Sequence, residues 1–288
     1  MRSRTIDSEP FAKDLVFGEG LRWHDSCLWI ADMLGRAVFA FREDGTRKAV
    51  AHVEPRPNGL GFLPDGRLIV ASMADQRLLR RERSGELVVH ADLSGLMTGY
   101  TGDIAVDRAG RIYVDDVGYR VFEGEAFANG RLLLVEPDGT SGVLEDSLAF
   151  PNGMWITRDG QRLIFAEGRA GKLFEYELGS NGRFVSKRLL ADQPGKVFDG
   201  ITLDANDGVW ACQPYEKRVI RIVASGEITD EIRFPETKPV AVCLGGSDLR
   251  TLYIVSADYT LERMAKDDST AVIHALRVET PGFPLLPT

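Results

Sequence analysis

The sequence predicts an all-β protein, a six-bladed β-propeller with four-stranded antiparallel blades. Three observations support this: a segment recurs six times, each copy has strand–turn–strand patterning, and no stretch of ten or more residues has helical periodicity. The copies begin at residues 19, 58, 102, 152, 199 and 240, so they lie 39 to 50 residues apart. Repeats of about 40 to 50 residues are typical of propellers.

Each copy opens on a small polar or acidic residue and continues as a strand with alternating apolar side chains, such as Leu60 and Phe62. A turn rich in Asp and Gly follows, and then a second apolar run returns. Third strands are predicted at 37–41, 131–135, 172–176 and 218–222, and fourth strands at 87–91 and 188–191. Four antiparallel strands in each of six copies make the propeller.

The two ends of the chain are predicted to close the ring. The strand-like residues 14–17 precede the first copy, whereas little room for another strand is left after residues 271–278. The N-terminal strand therefore completes the last blade, which avoids an open sheet edge. Residues 1–288 form a single domain, with a loop over one face at 116–130 and a tail at 283–288.

Composition restricts the possible partners. The net charge is −8, from 43 acidic and 35 basic residues, which argues against a nucleic-acid or anionic-membrane partner. The three cysteines lack metal-ligand spacing, and we expect reduced, buried thiols. The N-terminus lacks the apolar run of a signal peptide. We therefore expect a cytoplasmic protein that acts on a small molecule, and the sequence leaves its oligomeric state open.

The opening residues of the copies predict a metal site. Innermost strands line the central channel of a propeller, so Glu19, Asn58, Asn152 and Asp199 should face a common centre, with Asp103 close by. Carboxylates brought together without a counter-charge repel each other, and a divalent cation removes that repulsion. Carboxylate and amide oxygens favour Ca²⁺, with Mg²⁺, Mn²⁺ or Zn²⁺ as alternatives. Any single Asn-Gly or Asp-Gly pair is otherwise a common turn.

The loops at the same face should form the walls of a substrate pocket. Four apolar or aromatic residues and two polar ones are expected there, with surface-loop positions as the alternative interpretation. These residues are Met33, Met73, Tyr119, Tyr215, Glu167 and Gln213. Asp107 and Asp204 lie further along their strands, and we interpret them as turn residues.

The chain resembles the SMP-30/gluconolactonase/LRE-like family of six-bladed propellers. Residues 17–20 with Trp23, 102–107, 150–153, and 199–204 with Trp210 carry this resemblance, which covers essentially the whole chain. The resemblance implies a divalent metal held by Glu19, Asn152 and Asp199, with Asp199 as general base. Two positions depart from the family pattern. Gly102 stands where an Asn is frequent, so that Asp103 or water would replace its contact, and Tyr100 stands where sugar-lactone members have a basic residue.

These observations predict a metal-dependent lactonase. The cation would polarise the carbonyl of a cyclic ester, and Asp199 or Asp103 would take a proton from the attacking water. Asn58 and Tyr100 are assigned to substrate binding, and Tyr100 favours a less polar lactone or another ester-like substrate. Two alternatives stay open: phosphotriesterase-like or lyase chemistry at the same metal, and a non-catalytic propeller in which the metal only joins the blades.

Overall fold

A computed structural model describes residues 1–7 and 9–285 of the chain. Its strands form six separate sheets, five with four strands and one with five. The innermost strands of neighbouring sheets contact each other all the way round, and the last contacts the first. The six-bladed propeller predicted from the repeats is confirmed.

The strands follow the repeats. Two N-terminal strands come first, β1 (Arg2–Thr5) and β2 (Ala12–Leu15). Blade one contains β3 (Gly18–His24), β4 (Cys27–Asp32), β5 (Ala37–Phe41) and β6 (Arg47–His52). Blade two contains β7 (Pro57–Phe62), β8 (Leu68–Ser72), β9 (Arg77–Arg81) and β10 (Leu87–Asp92). Blade three contains β11 (Thr101–Val106), β12 (Ile112–Asp116), β13 (Gly130–Val135) and β14 (Ser141–Leu148).

The second half of the ring has the same organisation. Blade four contains β15 (Pro151–Ile156), β16 (Arg162–Glu167), β17 (Lys172–Leu178) and β18 (Phe184–Asp192). Blade five contains β19 (Ile201–Leu203), β20 (Val209–Gln213), β21 (Arg218–Ile222) and β22 (Ile228–Arg233). Blade six contains β23 (Lys238–Gly245), β24 (Thr251–Asp258) and β25 (Thr270–Arg277). Two short helices, a 3-10 helix (Val121–Glu123) and α1 (Leu261–Met264), lie in loops, and no helix of the described residues is long and apolar enough to span a membrane.

The N-terminal segment closes the ring, as predicted. β2 pairs antiparallel with β25, with Leu15 opposite Ala271, and so forms the outermost strand of blade six. The sequence did not indicate the role of β1, which pairs parallel with β22 and gives blade five its fifth strand. An ion pair between Arg2 Nε and Asp230 Oδ1, at 2.8 Å, supports this added strand.

The glycines that follow the opening residues allow the inner strands to pack closely. A Cβ added to Gly153 would lie 2.6 Å from the Asp199 carbonyl oxygen, and one on Gly200 would lie 2.8 Å from the Val240 carbonyl oxygen. Real Cβ atoms do not approach backbone so closely, since the overlap would push the strands apart. These Asn-Gly and Asp-Gly pairs therefore belong to the crowded channel wall and are not hairpin turns.

The C-terminal segment packs against the propeller. Phe283 is buried, and Leu285 is partly buried against two hydrophobic clusters, one of which joins blades one and two. The amide of Gly282 donates a hydrogen bond of 2.8 Å to the Leu249 carbonyl. Residues 283–285 thus do not form the free tail that the sequence suggested, and residues 286–288 lie outside the described part of the chain.

Two buried aspartates stabilise the turns after the inner strands, as predicted. Asp204 Oδ1 accepts hydrogen bonds of 3.0 Å from the amides of Asn206 and Gly208, and its Oδ2 lies 2.6 Å from Arg221 Nε. Asp107 makes the same pattern with the amides of Ala109 and Arg111. These contacts hold the hairpin turns that follow the inner strands β11 and β19.

Replacing Asp204 with alanine should destabilise the protein by about 3 to 5 kcal/mol, because it leaves the buried Arg221 guanidinium without its counter-charge. Urea denaturation measures this loss. Asp248→Ala is the matched control, since Asp248 pairs with Arg277 on the exposed surface and its removal should change stability little. Equal losses in both variants would contradict the structural role of Asp204.

Candidate active site

A cavity of about 380 Å³ lies where the opening residues of the inner strands meet. Glu19, Asn58 and Asn152 line it from the starts of β3, β7 and β15, and Asp199 lines it from just before β19. Four blades therefore bring oxygen-bearing side chains to one cavity. This is the arrangement that the repeat spacing predicted.

The two carboxyl groups of this set lie in an unfavourable electrostatic environment. Burial raises the pKa of Glu19 well above its usual range, and the charges of Asp199, Asp103 and Asp115 raise it further. Burial likewise raises the pKa of Asp199 to about 7, although the neighbouring Asn152 amide lowers it. None of these influences comes from a cationic side chain. The site thus concentrates negative charge in a place with little water.

This donor set fits a hard divalent cation. Two half-buried carboxyl groups and two amide side chains offer the oxygen ligands that Ca²⁺ or Mg²⁺ prefers, and a cation would offset the repulsion between Glu19 and Asp199. Among the described residues, no group of three or more His, Cys, Asp and Glu side chains is placed to hold a metal ion. The amide oxygens would therefore have to complete the set that Glu19 and Asp199 begin.

Asp103 lines the same cavity but is already paired. Its Oδ1 lies 2.8 Å from Arg22 Nη2 and accepts a hydrogen bond of 2.8 Å from the Ile104 amide. Arg22 is itself buried and stands over the Trp155 ring, 4.9 Å from its centroid. The sequence predicted Asp103 but gave no sign of Arg22, which comes from a different blade.

The upper walls of the cavity are apolar and aromatic. Met33, Met73, Tyr100, Tyr119 and Tyr215 all line it, where the sequence placed them. Further aromatic and aliphatic residues, to which the sequence assigned no role, also line the cavity: Phe17, Val117, Val121, Phe122, Phe150, Tyr259 and Met264. A ligand would therefore meet polar groups at the base and apolar surface above them.

Tyr100 is one of the two departures from the family pattern. Burial raises the pKa of its phenol to about 12, so the hydroxyl stays neutral at physiological pH. The ring packs against Phe122, with 5.6 Å between the ring centroids. Tyr100 therefore contributes apolar surface and one neutral hydroxyl, and no positive charge.

Glu167 and Gln213 do not line the cavity, and the expectation that they face it is wrong. Glu167 Oε1 accepts a hydrogen bond of 2.8 Å from the Ala149 amide. Gln213 is fully buried, donating to Gln193 Oε1 and accepting from Arg218 Nε, each at 2.8 Å. Both side chains stabilise loops beside the site because strand alternation turns them away from it.

The rim carries an arginine that the sequence analysis did not assign. Arg169 lines the cavity and stands over the rings of Phe127, Tyr119 and Phe150, at 5.1, 5.8 and 5.8 Å from their centroids. Cation–π contacts of this kind hold the guanidinium over the aromatic wall. Arg169 is a positive group at the rim, whereas the other lining arginine, Arg22, is paired with Asp103.

The fold and the site together define a class: six-bladed propellers that gather acidic and amide side chains at one end of the channel. The chain belongs to the SMP-30/gluconolactonase/LRE-like family, whose sequence profile matches residues 17–258. The resemblance seen in the sequence is thereby confirmed.

Comparison with individual proteins agrees with this membership. The pentonolactonase XacC of Haloferax volcanii is 27% identical over 83% of this chain and 81% of its own length. The gluconolactonase of Zymomonas mobilis is 26% identical over 89% of this chain and 80% of its own length. A calcium-binding regucalcin from Agrobacterium tumefaciens has the same fold, with a TM-score of 0.83, 20% identity, and coverage of 99% of this chain and 98% of that one.

Proposed function

We propose that this protein is a divalent-metal-dependent hydrolase that opens a lactone ring. The observation that carries the proposal is the convergence of Glu19, Asn152 and Asp199 on one cavity, in which the carboxyl groups of Glu19 and Asp199 lack a cationic partner. Relatives that cover most of the chain are named as lactonases, which supports the same reaction class.

Glu19, Asn152 and Asp199 would hold the cation. A divalent ion at this place supplies Lewis-acid polarisation of the ester carbonyl and stabilises negative charge on its oxygen. Asn58 lies on the same cavity wall between Met33 and Met73, with Nδ2 at 3.9 and 3.8 Å from their sulfur atoms. Its amide would therefore orient the lactone rather than meet solvent.

Asp199 is the proposed proton acceptor for the attacking water. It is half-buried in the cavity wall, and no ion pair with a basic side chain engages it within the described residues. Asp103 offers the second oxygen for this role, because its Oδ2 receives one long hydrogen bond of 3.4 Å, from the Met154 amide. Arg22 holds Asp103 in place by its ion pair with the other oxygen.

The cavity walls favour a lactone with an apolar body. The carbonyl would point to the polar base, and the remainder of the substrate would lie among Met33, Met73, Tyr100 and Tyr119. A ligand that buries apolar surface there gains roughly 25 cal/mol for each Å² removed from water. Sugar lactones, which carry several hydroxyl groups, would leave those groups without partners.

The test is a pH-stat screen of aliphatic, aromatic and sugar lactones, run beside a panel of phosphotriesters. We expect hydrolysis of lactones, with aliphatic and aromatic ones ahead of sugar lactones. Turnover of phosphotriesters alone would replace the lactonase proposal with phosphotriesterase activity. No turnover of either panel by the cation-loaded protein would favour a non-catalytic propeller.

Removal of the cation should abolish the activity. Dialysis against a chelator should lower kcat/KM at least about 100-fold, because polarisation of the carbonyl contributes several kcal/mol to the transition state. Adding back Ca²⁺, Mg²⁺, Mn²⁺ or Zn²⁺ separately should restore it and identify the effective ion. Full activity after chelation, with elemental analysis finding no metal, would contradict metal dependence.

A further inference from the structure

The third blade carries its polar group on a different strand from blades one, two and four. In four blades the pairs Gly18–Asp32, Pro57–Ser72, Thr101–Asp116 and Pro151–Glu167 are equivalent across the first two strands. One residue further along the first strand and one residue back along the second, the facing residues form the next pair. These pairs are Glu19 with Ala31, Asn58 with Ala71, Asn152 with Ala166, and, in blade three, Gly102 with Asp115. The three alanines are all fully buried. Blade three reverses the pattern, since the small residue is on the inner strand and the polar one is on β12.

Asp115 occupies the space that an opening side chain would take at position 102. A Cβ built on Gly102 would overlap Asp115 Oδ1. The carboxyl group lines the cavity, and its Oδ2 accepts a hydrogen bond of 2.9 Å from the Asp103 amide. Asp115 is 1% exposed, and its Oδ1 forms no hydrogen bond of ordinary geometry among the described residues. Burial raises the pKa of this carboxyl, whereas the nearby Asp103 and Gly102 amides lower it. A buried oxygen without a partner costs free energy that a bound ligand can recover.

We propose that Asp115 is a specificity-determining residue whose Oδ1 binds a hydroxyl group of the substrate next to the lactone carbonyl. The inference rests on the proposed lactonase function and narrows its substrate class to lactones with an apolar body and one such hydroxyl. Asp115 does not join Glu19 and Asp199 as a third acidic ligand, because no such trio is placed to hold an ion within the described residues. Asp115 thus makes the contact that an Asn at position 102 would make, which the sequence had suggested for Asp103 or water.

If Asp115 has a purely structural role, a different experimental result is expected. In that case the carboxyl group only holds the Asp103 amide, and its loss would change stability without changing the choice of substrate. The two roles separate in a swap that moves the polar group back to the inner strand. Gly102→Asn alone should fold poorly because its side chain meets Asp115. The double variant with Asp115→Ala removes that overlap and places an amide in the same space.

The experiment compares two γ-lactones that share an apolar side chain and differ in a hydroxyl at the carbon next to the carbonyl. We expect the protein to prefer the hydroxylated lactone about 10-fold in kcat/KM, the size of one hydrogen bond. Asp115→Ala should reduce this ratio to near one, and Gly102→Asn/Asp115→Ala should restore most of it. Calorimetric titration with Ca²⁺ should give similar affinities for all three proteins, and Asp248→Asn serves as the surface control.

Each other result overturns the inference. An unchanged ratio in Asp115→Ala, or no recovery in the double variant, would mean that Asp115 is structural. A ratio that falls only together with Ca²⁺ affinity would make Asp115 a metal ligand instead. If the unaltered protein opens neither lactone, the proposed function itself fails; if it opens both equally well, only the role of Asp115 fails.

Discussion

Asparagine in place of Asp199 should lower kcat for lactone opening by about 10³-fold while the protein stays folded. The amide keeps an oxygen for the cation but cannot accept a proton, and removal of a positioned base typically costs 10²- to 10⁴-fold. The residue is half-buried in the cavity wall beside Asn152, so a change in size would be harmful, and asparagine is the isosteric choice. Steady-state kinetics measure the loss, and calorimetric titration with Ca²⁺ shows whether the cation still binds.

Two further variants make this result specific. Asp248→Asn removes a carboxylate from an exposed ion pair and should leave kcat unchanged. Asp103→Asn tests the second candidate oxygen, and we expect it to lower the stability of the fold because Arg22 is buried and loses its counter-charge. If Asp199→Asn keeps more than about a tenth of the activity and Asp103→Asn does not, the proton acceptor is Asp103.

The propeller could be predicted because its information is local and repeated. The alternation of Leu60 and Phe62 in one inner strand returns in every blade, so errors at single positions do not alter the result. Ring closure by β2 followed from the lack of a fourth strand after β25. The parallel pairing of β1 did not follow, because the exposed residues of Arg2–Thr5 carry no apolar pattern.

Within the site, the positions at the strand starts were predictable and the side-chain directions at the strand ends were not. Glu167 and Gln213 stand one residue after Ala166 and Cys212, and one residue in a strand turns the side chain to the opposite face. Sequence spacing brings such residues near the rim without fixing that direction. The same alternation explains why Asp115, one residue before Asp116, lines the cavity.

The charges around Asp103 needed the three-dimensional structure. Arg22 lies 81 positions earlier in the sequence and reaches Asp103 across the channel. The exchange of roles between Gly102 and Asp115 likewise joins two strands, and the sequence shows only its first half, the missing side chain at position 102. Contacts between blades depend on the closed ring, so one blade's pattern cannot reveal them.

Glutamine in place of Glu19 should make the metal-free protein more stable and weaken its stabilisation by a cation. Without a cation, burial and three neighbouring carboxylates raise the pKa of Glu19. The ionised form of Glu19 therefore destabilises the fold. A neutral amide removes that repulsion. In the unaltered protein, a cation at 100 times its dissociation constant should add about 3 kcal/mol to the free energy of unfolding. Differential scanning calorimetry with chelator and with Ca²⁺ measures both effects.

The pH dependence of the metal-free protein tests the same electrostatics. A carboxyl whose pKa is higher in the folded than in the unfolded chain stabilises the fold at low pH, and this contribution is lost as the pH rises through the folded value. Asp199 changes from its ordinary value of 3.8 to about 7, so we expect the Tm of chelated protein to fall between about pH 4 and pH 7. The fall should be smaller in Glu19→Gln, which has one carboxyl fewer at the site, and absent when Ca²⁺ is bound. A Tm of the chelated protein that rises over this interval would show that the two carboxyl groups do not repel each other in the cavity.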